Sequence, residues 1–403
     1  MNNHYYPIVP VYMLHSVLDH PRRVPYGHLS TPLRTFISII SYLQKHHFNT
    51  ITLGDLYHYL RVGEPLPPNP IVLTFDDGYL DNWVNVFPVL QRYGMKATIF
   101  VAPDFVDPRE DIRPTLLDVW RKRTHVKDLS YAGFLSWNEM MEMECSGLID
   151  IQSHSLSHTY HFQTSEIIDF HHPGDPYPWL VWNQYPDHKY RWAHENQEEL
   201  VAFGAPVYGY GRALAAPQYF PDASLTQILQ EYVQKHGGRS FFQNPHWRDE
   251  LFGVAKAYRG RHALNARYEG QREYEERVQH ELRLSKAIIE KALSKTVQFL
   301  CWPGGAFNQT TLRLAEKAGY LATTKGTVKN SWGADPRRIA RIGGRAALTR
   351  NHPVLDKYVG RFVFAAQVEA YRGHPLYSRL LSWSLTTVYT CRRLLGGWKG
   401  SDR

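Results

Sequence analysis

Cysteine is scarce in this chain. Three residues, Cys145, Cys301 and Cys391, are scattered through 403 positions. An odd, dispersed set makes no disulfide framework and no C-x-x-C zinc pattern, so the core must hold without staples. No apolar run approaches the roughly 20 residues of a bilayer-spanning helix. The opening, Met1-Asn2-Asn3-His4-Tyr5-Tyr6-Pro7, lacks a basic segment followed by an apolar one. No secretory leader is visible there, and the expected location is cytoplasmic or peripheral on the cytoplasmic membrane face. Internal repeats and low-complexity tracts are missing. The basic residues are dispersed and form no recognition motif, so nucleic acid is not an expected partner. The charge excess is modest: 46 Lys and Arg against 38 Asp and Glu give +8. That balance favours an anionic neighbour, such as a phospholipid surface or an acidic glycan.

What is present is a rhythm of short apolar runs and helical patterns, with 43% hydrophobic residues to build a core. Ile8–Leu14 reads as a first strand that ends at His15. Helical spacing follows over 31–47, with Leu33, Phe36, Ile37, Ile40 and Leu43 on one face. Ile71-Val72-Leu73 is a short buried strand, Trp83–Tyr93 a helix closed by Gly94, and Lys96–Val101 the next strand. A helix around Ser136–Cys145 precedes the strand Ile149–Ser153. The alternation then breaks over about 159–267, a stretch rich in aromatics, Pro and Gly. It returns with a long charged helix over Glu273–Ser294, a strand over Thr296–Cys301, a helix over Gln309–Lys317, and strands over Tyr320–Thr324 and Arg338–Ile342. Strands alternating with helices predict a parallel α/β fold. Motifs placed just after strand ends predict a barrel with its site on the C-terminal face.

The most informative segment is Leu73-Thr74-Phe75-Asp76-Asp77-Gly78-Tyr79. Two adjacent carboxylates at the end of a buried strand need a partner, because burying an unpaired charge is costly. Downstream, Ile149-Asp150-Ile151-Gln152-Ser153-His154-Ser155-Leu156-Ser157-His158 delivers one His at a strand end and a second four residues on. One carboxylate and two imidazoles form a usual three-ligand set for a catalytic zinc ion that keeps one position open. The other carboxylate is then free to act as a base.

Thr74-Phe75-Asp76-Asp77-Gly78 followed by His154-Ser155-Leu156-Ser157-His158 resembles the NodB-homology polysaccharide deacetylases, carbohydrate esterase family 4. Further similarity lies in Tyr12-Met13-Leu14-His15-Ser16-Val17, in Leu284–Lys291, in Trp302-Pro303-Gly304-Gly305 and in Ala318–Thr324. The resemblance covers about 1–158 and 270–350. It implies a deformed (β/α) barrel over 1–350, interrupted by the insert at about 159–267 and followed by a helical extension over 351–403. It also implies that Asp77, His154 and His158 hold one divalent metal ion, zinc first, with cobalt or nickel as alternatives. Asp76 becomes the general base, and the substrate an N-acetylated glycan. Tyr79 and Trp302 are assigned to substrate binding, and the backbone N–H of Gly304 to an oxyanion hole.

Two departures from the family pattern matter. The third motif is often Arg-x-Pro-Tyr-Gly; here it is Cys301-Trp302-Pro303-Gly304-Gly305. Gly304 takes the Tyr position, and the Arg that pairs with the base is missing. Arg341 could replace it from a neighbouring strand, or lie on the surface. The C-terminal Leu-x-His motif is poorly matched, with His352 in Thr349-Arg350-Asn351-His352 the nearest candidate for general acid. The opening Tyr12–Val17, however, resembles the poly-N-acetylglucosamine deacetylase branch, in which the motifs are circularly permuted and the acid His comes from the N-terminal strand. That makes His15 the preferred acid. The expected activity is removal of acetyl groups from amino sugars of a polysaccharide or glycan precursor. A related amidase or deformylase acting on a small or lipid-linked amide is the first alternative, and a non-catalytic carbohydrate-binding protein the second. The insert's aromatics, Trp179, Trp182, Tyr185, Tyr190, Trp192, Tyr208 and Tyr210, fit either sugar stacking or a core of their own. His171 and His172 raise a second metal only weakly. The tail Leu376–Gly400 mixes Leu and Trp with Arg and Lys, which fits either peripheral membrane contact or a last packed helix.

Overall fold

The computed structural model describes residues 6–19, 24–343 and 353–380. Its centre is a parallel sheet of short strands. In chain order these are β1 (Val11–Leu14), β2 (Pro70–Phe75), β3 (Ala97–Val101), β4 (Ile149–Ser153), β5 (Phe299–Leu300), β6 (Ala322–Thr324), β7 (Arg338–Ile339) and β8 (Ile342–Gly343). Their spatial order is β7-β6-β5-β4-β3-β2-β1-β8, a ninth short strand, Asn49–Thr50, pairs with β2 off this path, and every pairing is parallel. All six residues of β2 and all five of β3 are buried. Such continuous burial is what a parallel sheet demands, since helices cover its faces.

The sheet returns on itself. Its two ends, β7 and β8, belong to one segment of chain, separated only by Ala340 and Arg341. The expected single strand Arg338–Ile342 is therefore two strands. The chain leaves β6 and joins β1 by turning through Ala340-Arg341, which closes a deformed barrel. Buried Asn330 fastens that turn. Its side chain donates to the carbonyls of Val9 at 3.1 Å and Ala340 at 2.8 Å, and accepts from the Ala340 N–H at 2.9 Å.

Helices form where capping and apolar spacing agree. Leu33–Lys45 buries Phe36, Ile39, Ile40 and Leu43. Leu53–Val62 starts at a Thr52/Asp55 capping box. Trp137–Cys145 is capped by Ser136, and Gln309–Lys317 by Asn308. The long helix Gln271–Leu293 buries Tyr274, Val278, Leu282, Ser285 and Ile289 on one face. Helix Pro353–Arg372 packs on the barrel, with Phe364 edge-on to Tyr12 at 4.5 Å and Gln367 accepting from the Tyr12 hydroxyl at 3.0 Å. Beyond residue 380 the tail lies outside the described residues, as does His352. No described helix is long and apolar enough to cross a membrane.

The aromatic-rich stretch has structure of its own. Strands Tyr160–Phe170 and Pro206–Arg212 pair antiparallel, and helices Ala223–Lys235 and Trp247–Arg261 pack behind them. Trp179, Trp182 and Tyr208 are buried, whereas Tyr185 is exposed. His171 has both ring nitrogens engaged, by Asp175 at 2.6 Å and the Glu198 carbonyl at 2.7 Å. Those contacts give it a structural role. Buried Lys189 ties this region to the barrel through Asp104 at 2.7 Å and the Ser157 carbonyl at 2.9 Å.

Candidate metal centre and active-site pocket

The C-terminal ends of β1, β2 and β4 bring the chemistry to one rim. The Asp76 N–H bonds the Leu14 carbonyl at 3.0 Å, so the segment carrying His15 lies beside the Asp-Asp pair. Asp77 sits at φ 75° and Gly78 at φ 68°, so two consecutive residues adopt left-handed backbone. A Cβ at Gly78 would press on Val101 at 2.8 Å, which explains the glycine. His154 follows β4, its N–H bonded to the Val101 carbonyl at 2.8 Å. Ser155 and His158 also have positive φ, 64° and 41°. Strain of this kind persists where surrounding contacts over-determine it. Here Glu281 supplies them, accepting from the N–H groups of Leu156 at 3.2 Å and Ser157 at 2.7 Å and from the Ser157 hydroxyl at 2.7 Å.

The result is a convergence of three ligand atoms. Asp77 Oδ1 lies 3.2 Å from His154 Nε2 and 3.2 Å from His158 Nε2. His154 Nδ1 faces the Cys301 carbonyl at 2.9 Å, so that nitrogen carries the proton and Nε2 presents a lone pair. A carboxylate oxygen and an imidazole nitrogen aimed at each other are joined by a proton or by a metal cation, and the donor set of one carboxylate and two imidazoles suits a divalent ion. A second grouping, Asp76, His154 and Cys301, also lies within ligand distance. There, however, Arg341 occupies both Asp76 oxygens, at 2.6 and 2.9 Å, and approaches the Cys301 sulfur at 3.0 Å. A guanidinium in that place excludes a metal cation, so the first trio fits the ion and the second does not.

Asp76 is buried and paired. Burial alone would raise its carboxyl, but the Arg341 charge and hydrogen bonds, with His154 and His15 nearby, hold it below the usual carboxylate range. His15 Nε2 stands 3.9 Å from Asp76 Oδ2. The His15 carbonyl accepts from Asn82 at 2.9 Å, and neighbouring Val17 donates its N–H to Asp81 at 2.7 Å. Tyr79 is buried and stacks on Tyr26 at 3.8 Å; burial, with the Asp77 charge nearby, raises its hydroxyl. Trp302 is buried with its Nε1–H unpartnered among the described residues.

All nine expected site residues line one cavity of about 470 Å³: His15, Asp76, Asp77, Tyr79, His154, His158, Trp302, Gly304 and Arg341. Trp182, Trp192, Tyr160 and Arg212 of the aromatic stretch complete its wall. Sequence reasoning missed Cys301 as a contact of Asp76, Glu281 as the anchor of the His loop, and Arg212 and Lys325 as pocket cations. A signal existed for the first alone, since Cys301 stands where the resembling motif has its Arg.

A family model described as polysaccharide deacetylase matches residues 63–204 and 257–323, about half of the chain. Over 208 residues the chain is 28% identical to poly-beta-1,6-N-acetyl-D-glucosamine N-deacetylase of Escherichia coli K12. That alignment covers 50% of this chain and 29% of the relative, so the chain spans less than a third of that protein's length. Among solved structures, the deacetylase domain of BpsB from Bordetella bronchiseptica superposes with a TM-score of 0.48 at 19% identity, covering 83% of this chain and 95% of that one. IcaB from Ammonifex degensii gives 0.46 at 15%, covering 88% and 96%.

Proposed function

Because the chain belongs to the polysaccharide deacetylase family, we propose that it is a metal-dependent amide hydrolase that removes N-acetyl groups from amino sugars of a polysaccharide or glycan precursor. The observation that carries this reading is the convergence of Asp77, His154 and His158 beside the Arg341-paired Asp76 in one cavity. We assign the ion as zinc, with cobalt or nickel as substitutes, because a carboxylate and two imidazoles are its usual catalytic ligands. When bound, such an ion polarises the amide carbonyl and lowers the pKa of water.

The chain's own groups divide the remaining work. Asp76, held ionised, takes a proton from the attacking water as the new C–O bond forms. The Gly304 N–H supports the oxygen that gains charge. His15 donates a proton to the departing nitrogen as the C–N bond breaks, leaving acetate and a free amine. Tyr79 and Trp302 line the cavity and are assigned to substrate contact. A related reading, hydrolysis of a smaller or lipid-linked amide, draws support from the aromatic wall that Tyr160, Trp182 and Trp192 raise over the site. A binding-only role fits less well, since Asp76 and the potential ligands Asp77, His154 and His158 converge in one cavity.

Acetate release from N-acetylglucosamine oligomers and lipid-linked amino sugars tests the proposal. The zinc-loaded protein should release acetate from at least one class. His158→Ala should lose metal and turnover together, since two protein ligands remain for an ion that wants three. Full metal occupancy in purified His158→Ala would remove that residue from the ligand set.

A further inference from the structure

The Gly304-Gly305 pair makes room for two cations. Gly304 has φ 52° and Gly305 φ 75°, both left-handed. A Cβ on Gly304 would collide with the guanidinium of Arg212, and a Cβ on Gly305 with the end of the Lys325 side chain. Arg212 ends the strand Pro206–Arg212 and stacks over the Tyr160 ring at 4.3 Å. Lys325 follows β6 at φ 85°, a conformation a non-glycine residue rarely holds without compensation. Both side chains line the cavity that contains Asp76, Asp77 and the His pair. Among the described residues neither forms an ion pair; Arg212 is half-buried, and Lys325 is exposed where it lines the cavity. Arg113, Lys189, Arg277 and Arg341 each have carboxylates within 3.2 Å.

Two positive charges without a counter-charge on one wall of a catalytic cavity repel each other and repel a bound divalent ion. Such an arrangement is stable when an anionic ligand group enters it. A planar guanidinium and a compact ammonium complement different oxygens of one tetrahedral group: the fork takes two, the point charge a third. We propose that Arg212 and Lys325 form a phosphate subsite, and that the substrate is an N-acetylated amino sugar carrying a phosphate ester next to the scissile amide. A sugar 1-phosphate, a nucleotide diphosphate sugar and a polyprenyl-diphosphate sugar share this chemistry. The inference rests on the deacetylase reading and narrows its substrate class. It also accounts for the third motif, because a tyrosine at position 304 would occupy the space that the Arg212 guanidinium fills.

The test uses zinc-loaded protein of the full chain. Acetate release is measured from N-acetylglucosamine, its neutral β-linked oligomer, N-acetylglucosamine 1-phosphate, the uridine diphosphate sugar, the polyprenyl-diphosphate sugar and an N-acetylated uronic acid. Phosphorylated substrates should exceed the neutral ones by at least about tenfold in kcat/KM, as loss of one charge-assisted contact would predict. Arg212→Gln and Lys325→Gln should each collapse that ratio, and Arg212→Lys should restore part of it, with metal content unchanged as the check on folding. The ranking among the three phosphorylated compounds names the source of the phosphate. In parallel, titration calorimetry with inorganic phosphate should show binding that weakens about tenfold in Arg212→Gln. Equal turnover of neutral and phosphorylated sugars, or a preference that survives both substitutions, overturns the subsite while leaving the deacetylase intact. Preference for the uronic acid over every phosphate overturns the phosphate assignment. Phosphate binding that depends on Arg212, with no acetate released from any compound, upholds the subsite and rejects the deacetylase reading instead.

Discussion

Asp76 and Asp77 are neighbours in the chain but answer to different charges. Asp77 faces two imidazoles, whereas Asp76 is clamped by Arg341 through two short bonds. The clamp sets how Asp76 titrates. Its folded carboxyl lies below the ordinary value, so the pair stabilises the fold above about pH 3.9 and loses that contribution as pH falls through the lower folded value. Arg341→Met leaves a buried carboxyl beside the Cys301 thiol, and burial then raises it. A base must be ionised, so the acid limb of the kcat/KM profile should move to higher pH in this variant. Breaking the pair should also cost roughly 3–5 kcal/mol of stability. An unmoved acid limb would separate Arg341 from the base. Asp81 titrates in the opposite sense. Burial pushes its carboxyl up to about 7, against the bonds from Val17, Ser16 and Asn82. A raised folded value means that the stability it supports is full below about pH 3.9 and falls as pH rises toward 7. Asp81→Asn should therefore gain on the parent between pH 5 and pH 8, by on the order of a few kcal/mol. Urea unfolding at both pH values measures the difference, and equal gaps at the two would remove Asp81 as its source.

Among the elements, the helix Gln271–Leu293 does most to shape the proposed metal site without entering it. Glu281 holds the loop before His158, and Ser285 donates to the Ser155 carbonyl at 2.9 Å while sharing a bond with Ser153 at 2.8 Å. Glu281→Ala frees two backbone N–H groups and a hydroxyl in a loop with two left-handed residues. Zinc affinity should fall about 10–100-fold, the usual effect of losing an outer support, with the fold retained. Competition with a chromophoric chelator measures this, and affinity within about twofold of the parent would mean that the loop holds itself. The helix was legible in the sequence from its spacing, but its function was not. A run of alternating Glu, Arg and Lys reads as a solvated face, and nothing local marks one Glu as turned inward. The helix Gln309–Lys317 was legible to the residue, because the Asn308 cap and Gly319 bound it on both sides. Strand ends were less so: Thr296–Cys301 shrank to Phe299–Leu300, since ladder pairing rather than apolar content sets the length. The stretch over 159–267 gave no periodicity, so its hairpin and the pocket wall it builds could not be read from aromatic content.

At the scale of the whole molecule, barrel closure ties together positions that are remote in the chain. The Asn330 carbonyl accepts from the Val9 N–H at 2.8 Å, its side chain grips Ala340, and its own N–H donates to the Tyr371 hydroxyl at 2.9 Å. One buried residue thus joins the approach to β1, the turn between β7 and β8, and the helix Pro353–Arg372. The turn presents Arg341 to Asp76, so barrel closure and the proposed base share a joint. This is why the site motifs were legible and the device that aligns them was not: Asp-Asp and His-x-x-x-His are local patterns, whereas the seam is assembled from four distant segments. Asn330→Ala removes three side-chain bonds and strands the Val9 and Ala340 carbonyls and the Ala340 N–H. At about 1–3 kcal/mol for each buried group left unsatisfied, with partial relaxation, the loss should be roughly 2–4 kcal/mol. Asp77, His154 and His158 follow β2 and β4 and none of them bonds Asn330, so metal content should stay near that of the parent while kcat falls as Arg341 loosens from Asp76. Denaturant unfolding, metal analysis and kinetics on one preparation separate these effects. Loss of metal in step with kcat would show that the seam holds the whole rim. An unchanged kcat would show that Arg341 keeps its place without it.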